Sequence, residues 1–335
     1  MNTSNIVQLA LDVYRGQAVA PTEFADKKPE EVLRNALIEL NGGSSKFDYK
    51  KFRRNKIEIF EIIEQIVPII VNEGLQGDEF FMNLVDEHNI AAGDMNEFVA
   101  EDNTTFIVAD MANGISIPRR QRIGEKTSVT IPTTVQGVRF YDELARFMAG
   151  RIDWNSMIDK VARSFKAEAL NKMYTTFSGI TAATPGLNST YVTGGTYDEE
   201  KLLTLVEHVE AATGMTASIV GTKSALRKCS TAVQADSAKE DYYSMGYYGK
   251  LAGVPMIAIK NRHAISSDSF IFPNDKLYVL ASNDKPIKYV TEGEAYILEK
   301  DGSTNSDQTM EYLYTEKTGC GLLLGSKLGI YTISD

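Results

Sequence analysis

The stretch that decides the fold is "YYSMGYYGKLAGVPMIAIKN", residues Tyr242 to Asn261. Four tyrosines and three glycines stand ahead of or beside Pro255, which opens a short apolar run. The glycines are not spaced as G-x-G-x-x-G, and they precede the apolar run, so the pattern of a dinucleotide-binding turn is not met. We therefore interpret Gly253 as supplying a backbone conformation that side chains disfavour, and Pro255 as fixing the start of a strand.

The residues before this stretch predict a small α/β domain. Thr196 and Glu199 form a T-x-x-E pattern typical of a capping box, ahead of a helix that Gly214 ends. An apolar run, ASIVG, and a short helix follow, and residues 254–259 supply the next strand. The order helix, strand, helix, strand indicates an α/β domain over residues 196–274.

One long helix is predicted before that domain. In "DWNSMIDKVARSFKAEALNKMYTTFSG", residues 153–179, apolar side chains recur every three or four positions, Asp153 is suited to cap the helix and Gly179 to end it. At 1.5 Å of rise per residue the helix is roughly 37 Å long. A helix of this length is expected to form the backbone of an elongated domain.

The first hundred residues predict a helical region. Pro29 begins one helix, and a second runs through "YKKFRRNKIEIFEIIEQIVPIIVNEG", with a kink or break expected near Pro68. Both helices are amphipathic, and their partner is either the body of the same chain or a neighbouring subunit. The second helix begins with a basic cluster that is a candidate contact for DNA or for an acidic neighbour: Lys50, Lys51, Arg53 and Arg54.

An alternating pattern begins near Thr105 and predicts a long β-hairpin. Its strand-like runs are 106–108, 114–117 and 128–134. Because an isolated hairpin is marginal in water, we expect it to lie on another copy of the protein; a solvated surface hairpin is the alternative. Its basic residues, expected at the tip, are Arg119, Arg120, Arg122 and Lys126.

The chain after Lys276 predicts short alternating strands. Turns are expected at 283–284, 301–302 and 318–319. These strands are expected to return to the domain of the long helix.

Composition narrows the class of protein. The chain has 335 residues, 43% of them hydrophobic, and a formal net charge of -10. The charge argues against a surface that binds nucleic acid throughout, because that affinity rests on lysine and arginine. Two isolated cysteines and the lack of a signal or spanning segment predict a soluble protein of a reducing cytoplasm, without a membrane partner.

The motifs for chemistry are missing. In SIVGTKSAL, Thr222 separates Gly221 from Lys223, so no Walker P-loop is formed. The three histidines have no second ligand at helical spacing, and no G-x-S-x-G occurs. We therefore expect no enzyme activity, no metal and no cofactor. The rival hypothesis is a soluble α/β enzyme or ligand-binding protein, which predicts a deep polar pocket.

The order of these elements resembles the major capsid proteins of tailed bacteriophages, whose Hong Kong-97 type fold encapsulins share. In that family a loop rich in glycine and aromatic residues leads to an L-x-G-x-P turn, and Leu251, Gly253 and Pro255 stand in this register. The resemblance implies an α+β fold with an N-terminal helical arm (1–102), an extended loop and spine helix of the peripheral domain (103–195), an axial domain (196–274) and strands returning to the peripheral domain (275–335).

The resemblance also implies a function. The chain would be a structural subunit that forms the pentamers and hexamers of an icosahedral head around double-stranded DNA, assembled in the bacterial cytoplasm with portal and scaffold proteins. The extended loop would contact neighbouring copies, and an encapsulin compartment is the alternative within the fold. The tyrosines expected where axial domains of several copies meet are Tyr242, Tyr243, Tyr247 and Tyr248.

Overall fold

The structure is a computed structural model of the chain. It describes residues 3–16, 29–40, 42–43, 49–100, 106–108, 110, 120–121, 127–141, 154–184, 187, 189–229, 242–265, 267–282, 284–300, 311–324 and 327–334. Within these ranges no helix is both long enough and apolar enough to cross a lipid bilayer.

The predicted helices are present at the expected places. Gly214, with a φ of +67°, ends the helix of the α/β region in the left-handed conformation that the sequence predicts for a terminal glycine. The helices are α1 (Thr3–Arg15), α2 (Pro29–Leu40), α3 (Tyr49–Gln76), α4 (Glu79–Leu84), α5 (Trp154–Ser178), α6 (Glu199–Thr213) and α7 (Lys223–Lys228).

Most strands belong to two sheets. The strands are β1 (Val85–Ile90), β2 (Phe98–Ala100), β3 (Thr127–Val129), β4 (Thr134–Tyr141), β5 (Val192–Gly195), β6 (Ala217–Thr222), β7 (Lys250–Leu251), β8 (Val254–Ile259), β9 (Lys276–Ala281), β10 (Ile287–Glu292), β11 (Tyr296–Lys300), β12 (Glu311–Leu322) and β13 (Gly329–Ile333). Strands β2 and β3 form a separate antiparallel pair.

The five-stranded sheet is built around β12. Strand β4 pairs along one side of β12, while β10 and β11 share its other side, and β1 adds to β10 in parallel. Helices α3 and α5 pack on each other and over this sheet, so Phe165 of α5 meets Tyr314 of β12 with ring centroids 4.9 Å apart. The partner of the N-terminal helices is thus the body of the same chain.

The six-stranded sheet has the order β5-β13-β9-β6-β8-β7. Strands β6 and β8 are parallel, as expected for a crossover through a helix, and β9 runs antiparallel between β6 and β13. Helices α6 and α7 cover one face, where Leu202 and Leu226 are fully buried against Leu277. This half of the fold is the predicted α/β region.

Several local predictions need correction. Helix α3 is not broken at Pro68, because the lost backbone hydrogen bond is offset by buried side chains on both sides of the proline, from Ile62 to Val71; a kink there stays a prediction. Asp198, not Thr196, caps α6: its carboxylate lies directly before the first turn and accepts from the backbone N–H of Glu200. The expected turn at 318–319 lies inside β12.

Another correction concerns the strands after residue 275, which do not all join one sheet. Strands β10, β11 and β12 pair in the five-stranded sheet, but β9 and β13 are central strands of the six-stranded one. The region up to residue 102 is not only helical either, since β1 and β2 lie within it. The residue boundaries of the four predicted regions stay a prediction.

Candidate assembly interface

The extended loop leaves the fold at the β2–β3 pair. Phe98 pairs with Val129, so the base of the loop is formed by residues 98–100 and 127–129. The expected arm at 106–108 is not a strand, and the run expected from Ser128 to Thr134 ends as β3 at Val129. The strand pair that closes the loop therefore begins earlier in the chain than the alternating sequence pattern predicts. The third predicted run, 114–117, lies outside the described residues.

Asn96 joins the two sides below this pair. Its amide donates to the carbonyl oxygen of Ile131 and accepts from the N–H of the same residue, both at 2.7 Å. Ile131 and Phe98 are buried with Val290 and Leu323 in a small cluster on the outer face of the five-stranded sheet, the face away from α3 and α5. A buried amide with both groups bonded holds the loop base in one position.

Glu292 makes a second junction at the same place. Its carboxylate accepts from Lys317 Nζ at 2.5 Å, from the N–H of Gly93 at 3.1 Å and from the hydroxyl of Thr133. These hydrogen bonds lower the pKa of Glu292 to about 2. The carboxylate thus connects β10, β12 and both segments that lead to the loop.

Two glycines of β12 let the loop base lie on the sheet. A Cβ atom on Gly319 would meet the carbonyl oxygen of Pro132 at 2.8 Å, and one on Gly321 would meet Cγ1 of Ile131 at 2.9 Å. Glycine in a strand interior often marks such a close approach of another backbone. Gly319, which the sequence predicts to be part of a turn, has this role instead.

Farther out, Gln121 bridges the loop. Its side-chain amide donates to the carbonyl oxygen of Ile107 at 2.8 Å and accepts from the Ile107 N–H at 2.7 Å. Phe106, Ile107 and Val108 expose their apolar side chains. Arg120, beside this bridge, is exposed, whereas Arg119, Arg122 and Lys126 lie outside the described residues.

The tyrosine cluster lies at one edge of the six-stranded sheet. Tyr242 packs against Tyr248 with ring centroids 5.2 Å apart, and its hydroxyl accepts from Arg227 at 3.1 Å. Tyr247 and Tyr248 pack partly on the core, while Tyr243 is 86% exposed. Tyr243 is therefore the member of the cluster that is most available to a neighbour.

The predicted turn connects β7 to β8. Gly253 has a φ of +91° and Ala252 one of +47°, the left-handed pair of a tight hairpin, and Pro255 is the second residue of β8. Gly253 thus adopts the conformation that the sequence predicts. Pro255 lies opposite Lys250 on β7.

The basic cluster lies in the first turns of α3. Lys50, Lys51 and Arg54 are exposed, and the ammonium of Lys51 donates to the carbonyl oxygen of Gly42 at 3.3 Å. The side chain of Arg53 lies outside the described residues. The cluster lies at the N-terminal end of α3, and α4 follows the other end of this helix.

Sequence reasoning missed Asn96, Glu292 and Gly319. The only local signal was a glycine within an apolar, aromatic strand pattern, which indicates close backbone approach as well as a turn. Among the described residues, no three histidine, cysteine, aspartate or glutamate side chains are grouped to hold a metal ion.

Comparisons with known proteins identify the family. Residues 5–332 match the family described as "SPbeta prophage-derived putative capsid protein YonB". No curated protein sequence matches the chain.

The chain is similar to several solved structures at low sequence identity. The capsid of a native GTA particle is 10% identical with a TM-score of 0.50, and the alignment covers 75% of this chain and 89% of that one. The procapsid of satellite phage P4 is 8% identical with a TM-score of 0.49, covering 80% and 91%. A virus-like particle from Pyrococcus furiosus is 14% identical with a TM-score of 0.43, covering 82% and 99%.

The α+β architecture, with its long helix, looped β-pair and separate α/β sheet, is the Hong Kong-97 type capsid fold. The family match spans nearly the whole chain, including the loop base and the tyrosine cluster. The chain therefore belongs to the YonB family of prophage-derived bacteriophage capsid proteins.

Proposed function

We propose that copies of this chain form pentamers and hexamers that close into an icosahedral phage head around double-stranded DNA. Membership of a capsid family supports a role as shell subunit in the virion. Closed symmetry lets many modest contacts between copies add up to a stable particle.

The observation that carries the proposal is the anchored loop. Asn96, Glu292 and Gly319 hold its base against the outer face of the sheet. The loop comprises the 26 residues from 101 to 126. Thirteen residues in each arm span at most about 43 Å at 3.3 Å per residue, which is long enough to reach onto an adjacent copy. A fixed base transmits a contact made by the loop to the body of the subunit.

The other partners follow from charge and from the family. DNA inside the head would meet a chain whose net charge is -10, so the wall would not bind it tightly. The basic start of α3 is the candidate contact for DNA or for a neighbour. Portal and scaffold proteins complete the proposed set, and assembly would take place in the bacterial cytoplasm.

A structural role, without catalysis, is also part of the proposal. Burial raises the pKa of Cys229 to about 12 and also raises the pKa of Cys320, so neither thiol is an activated nucleophile at neutral pH.

Electron microscopy and sedimentation of the purified chain test the proposal. Particles of tens of nanometres, or free pentamers and hexamers, are the expected result. A single species of one or two subunits, under salt and protein concentrations that favour assembly, would refute it. Particles that hold a cargo protein and no nucleic acid would instead indicate an encapsulin compartment.

A further inference from the structure

An acidic cavity of about 580 Å³ lies between α3 and the inner face of the five-stranded sheet. Five glutamates line it, and none of its lining residues is a lysine or an arginine. They come from three separate parts of the fold: Glu61 and Glu64 from α3, Glu87 from β1, and Glu294 and Glu316 from the sheet centre. A cavity of one charge sign attracts a group of the opposite sign.

The cavity exists because the pairing with β12 is interrupted between the end of β10 and the start of β11. The last pair on β10 is Thr291 with Thr318, and the first on β11 is Tyr296 with Thr315. Residues 292–295 therefore bulge opposite only Glu316 and Lys317 of β12. Lys317 points to the outer face, where it binds Glu292, and Glu316 points to the cavity.

Glu316 is the unusual group. It is only 8% exposed, and among the described residues its carboxylate has no hydrogen-bond partner, while its backbone pairs with Gln136 of β4. Glu64, by contrast, accepts from the N–H of Ile297 at 2.5 Å. The hydroxyl of Tyr314, buried and also without a hydrogen-bond partner in the described part of the chain, lies on the same face of β12.

An unpaired buried carboxylate is costly, which makes it a site for a cation. Burial, with the charge of Glu87 as a second cause, raises the pKa of Glu316 to about 7. A buried charge is tolerated in proteins when it is paired and hydrogen-bonded. An ammonium or guanidinium group would provide both the charge and the donors that Glu316 and Glu87 lack.

The chain carries a suitable group on its extended loop. Arg120 is exposed beside the Gln121 bridge, and the segment 119–126 holds four basic residues and one acidic one. The loop leaves the subunit from the outer face of the sheet, where Ile131 packs on Gly321, whereas the cavity is on the inner face. To reach the cavity, the subunit's own loop would have to pass around the edge of its sheet, whereas the loop of a second copy does not have to.

We propose that the acidic cavity beneath α3 receives a basic side chain from the 101–126 loop of a second copy of this chain. This rests on the proposed function, because it requires copies to associate. The contact is a charge pairing that forms only on assembly, so it favours association without stabilising the free subunit.

Three variants form the test. The cavity variant carries Glu87→Gln and Glu316→Gln, and the loop variant replaces Arg119, Arg120, Arg122 and Lys126 by Gln. The matched control, Glu39→Gln with Glu58→Gln, removes two exposed charges outside the cavity. The concentration at which the purified chain assembles is measured by light scattering and sedimentation, for each variant and for the cavity and loop variants combined.

We expect the cavity variant and the loop variant each to raise the assembly concentration about tenfold or more, and the combination to be no worse than the loop variant alone. The control should assemble as the wild type does. The free cavity variant should melt at a higher temperature than the wild type at pH 8, since it loses an unpaired buried charge. A melting temperature at or above that of the wild type would show that the weaker assembly of the cavity variant does not come from misfolding.

Two results would overturn the proposal while the shell function stands. One is a cavity variant that assembles at the wild-type concentration. The other is a pair of effects that simply multiply in the combined variant, because independent effects exclude contact between the two sites. A wild-type chain that never assembles would overturn both proposals together.

Discussion

Gly319 lies directly beneath Pro132: a Cβ atom on the glycine would be 2.8 Å from the proline's carbonyl oxygen. The backbone that leads from β3 to β4 therefore rests on β12 without a side chain between them. Asn96 and Glu292 bond to the same segment, at Ile131 and Thr133. The extended loop thus starts from a segment that a close backbone contact and two side-chain hydrogen bonds join to the sheet.

Gly319→Ala is expected to destabilise the subunit by about 1–3 kcal/mol, because backbone on both sides of the contact must move. Urea denaturation followed by circular dichroism measures the loss. Gly321→Ala is the matched comparison, since its new Cβ would meet a side chain, Ile131, that has some freedom to shift. A Gly319→Ala protein as stable as the wild type would show that the loop base is loosely held.

The β7–β8 turn predicts two substitutions of opposite sign. Ala252→Asn should stabilise by about 0.5–1 kcal/mol, because asparagine tolerates the positive φ that alanine disfavours. Gly253→Ala should destabilise by about 1 kcal/mol or more for the same reason. The denaturation midpoints of the two variants measure these changes in stability. A shift of both midpoints in the same direction would contradict the left-handed turn.

Gln121→Ala removes the bridge to Ile107 without touching the core. Because the residue is exposed, the free energy of unfolding should change by less than about 0.5 kcal/mol. Limited proteolysis within residues 101–126 should nevertheless become faster. Gln76→Ala, which removes an exposed amide from α3, serves as the control. Equal cleavage rates in the two variants would mean that the bridge does not order the loop.

The pKa of Glu316, raised to about 7, predicts how stability depends on pH. An unfolded glutamate titrates near 4.3, so the folded subunit binds more protons between these values. The contribution of Glu316 to the free energy of unfolding is fully present below about pH 4, and it is lost as the pH rises through about 7. The other ionisable groups around the cavity are Glu61, Glu64, Glu87, Glu294 and Tyr289.

Denaturation at pH 5 and pH 8.5 measures the effect. Glu316→Gln should reduce the difference in unfolding free energy between the two pH values by at most about 3 kcal/mol, while Glu58→Gln should leave it unchanged. An undiminished difference in Glu316→Gln would assign the pH dependence to other groups.

The basic loop residues give a prediction about assembly. Replacing Arg119, Arg120 and Arg122 together by Glu should abolish particles, because the reversed charges repel a neighbour with an acidic surface. The far-ultraviolet circular dichroism of the subunit should remain that of the wild type. The triple Lys variant keeps the charge and should still assemble. Normal particles from the Glu variant would remove these arginines from the interface.

Local patterns in the sequence determined most of the elements. The three-and-four spacing of apolar residues predicts α5, and Gly214 ends α6 as expected, because these signals act within one or two turns of a helix. The turn at Gly253 was predictable for the same reason, since it depends on the backbone conformation of adjacent residues. The acidic cavity was not, because its glutamates come from distant segments.

Only the tertiary structure decided which segments meet. Gly319 looks like a turn residue until Pro132 is placed above it, and Asn96 has no local signal for its bond to Ile131. The strand at 276–281 has an ordinary apolar pattern that suits either sheet, and its neighbours in space select one. Alternation determines which face of a strand is buried, whereas pairing depends on contacts between residues far apart in the chain.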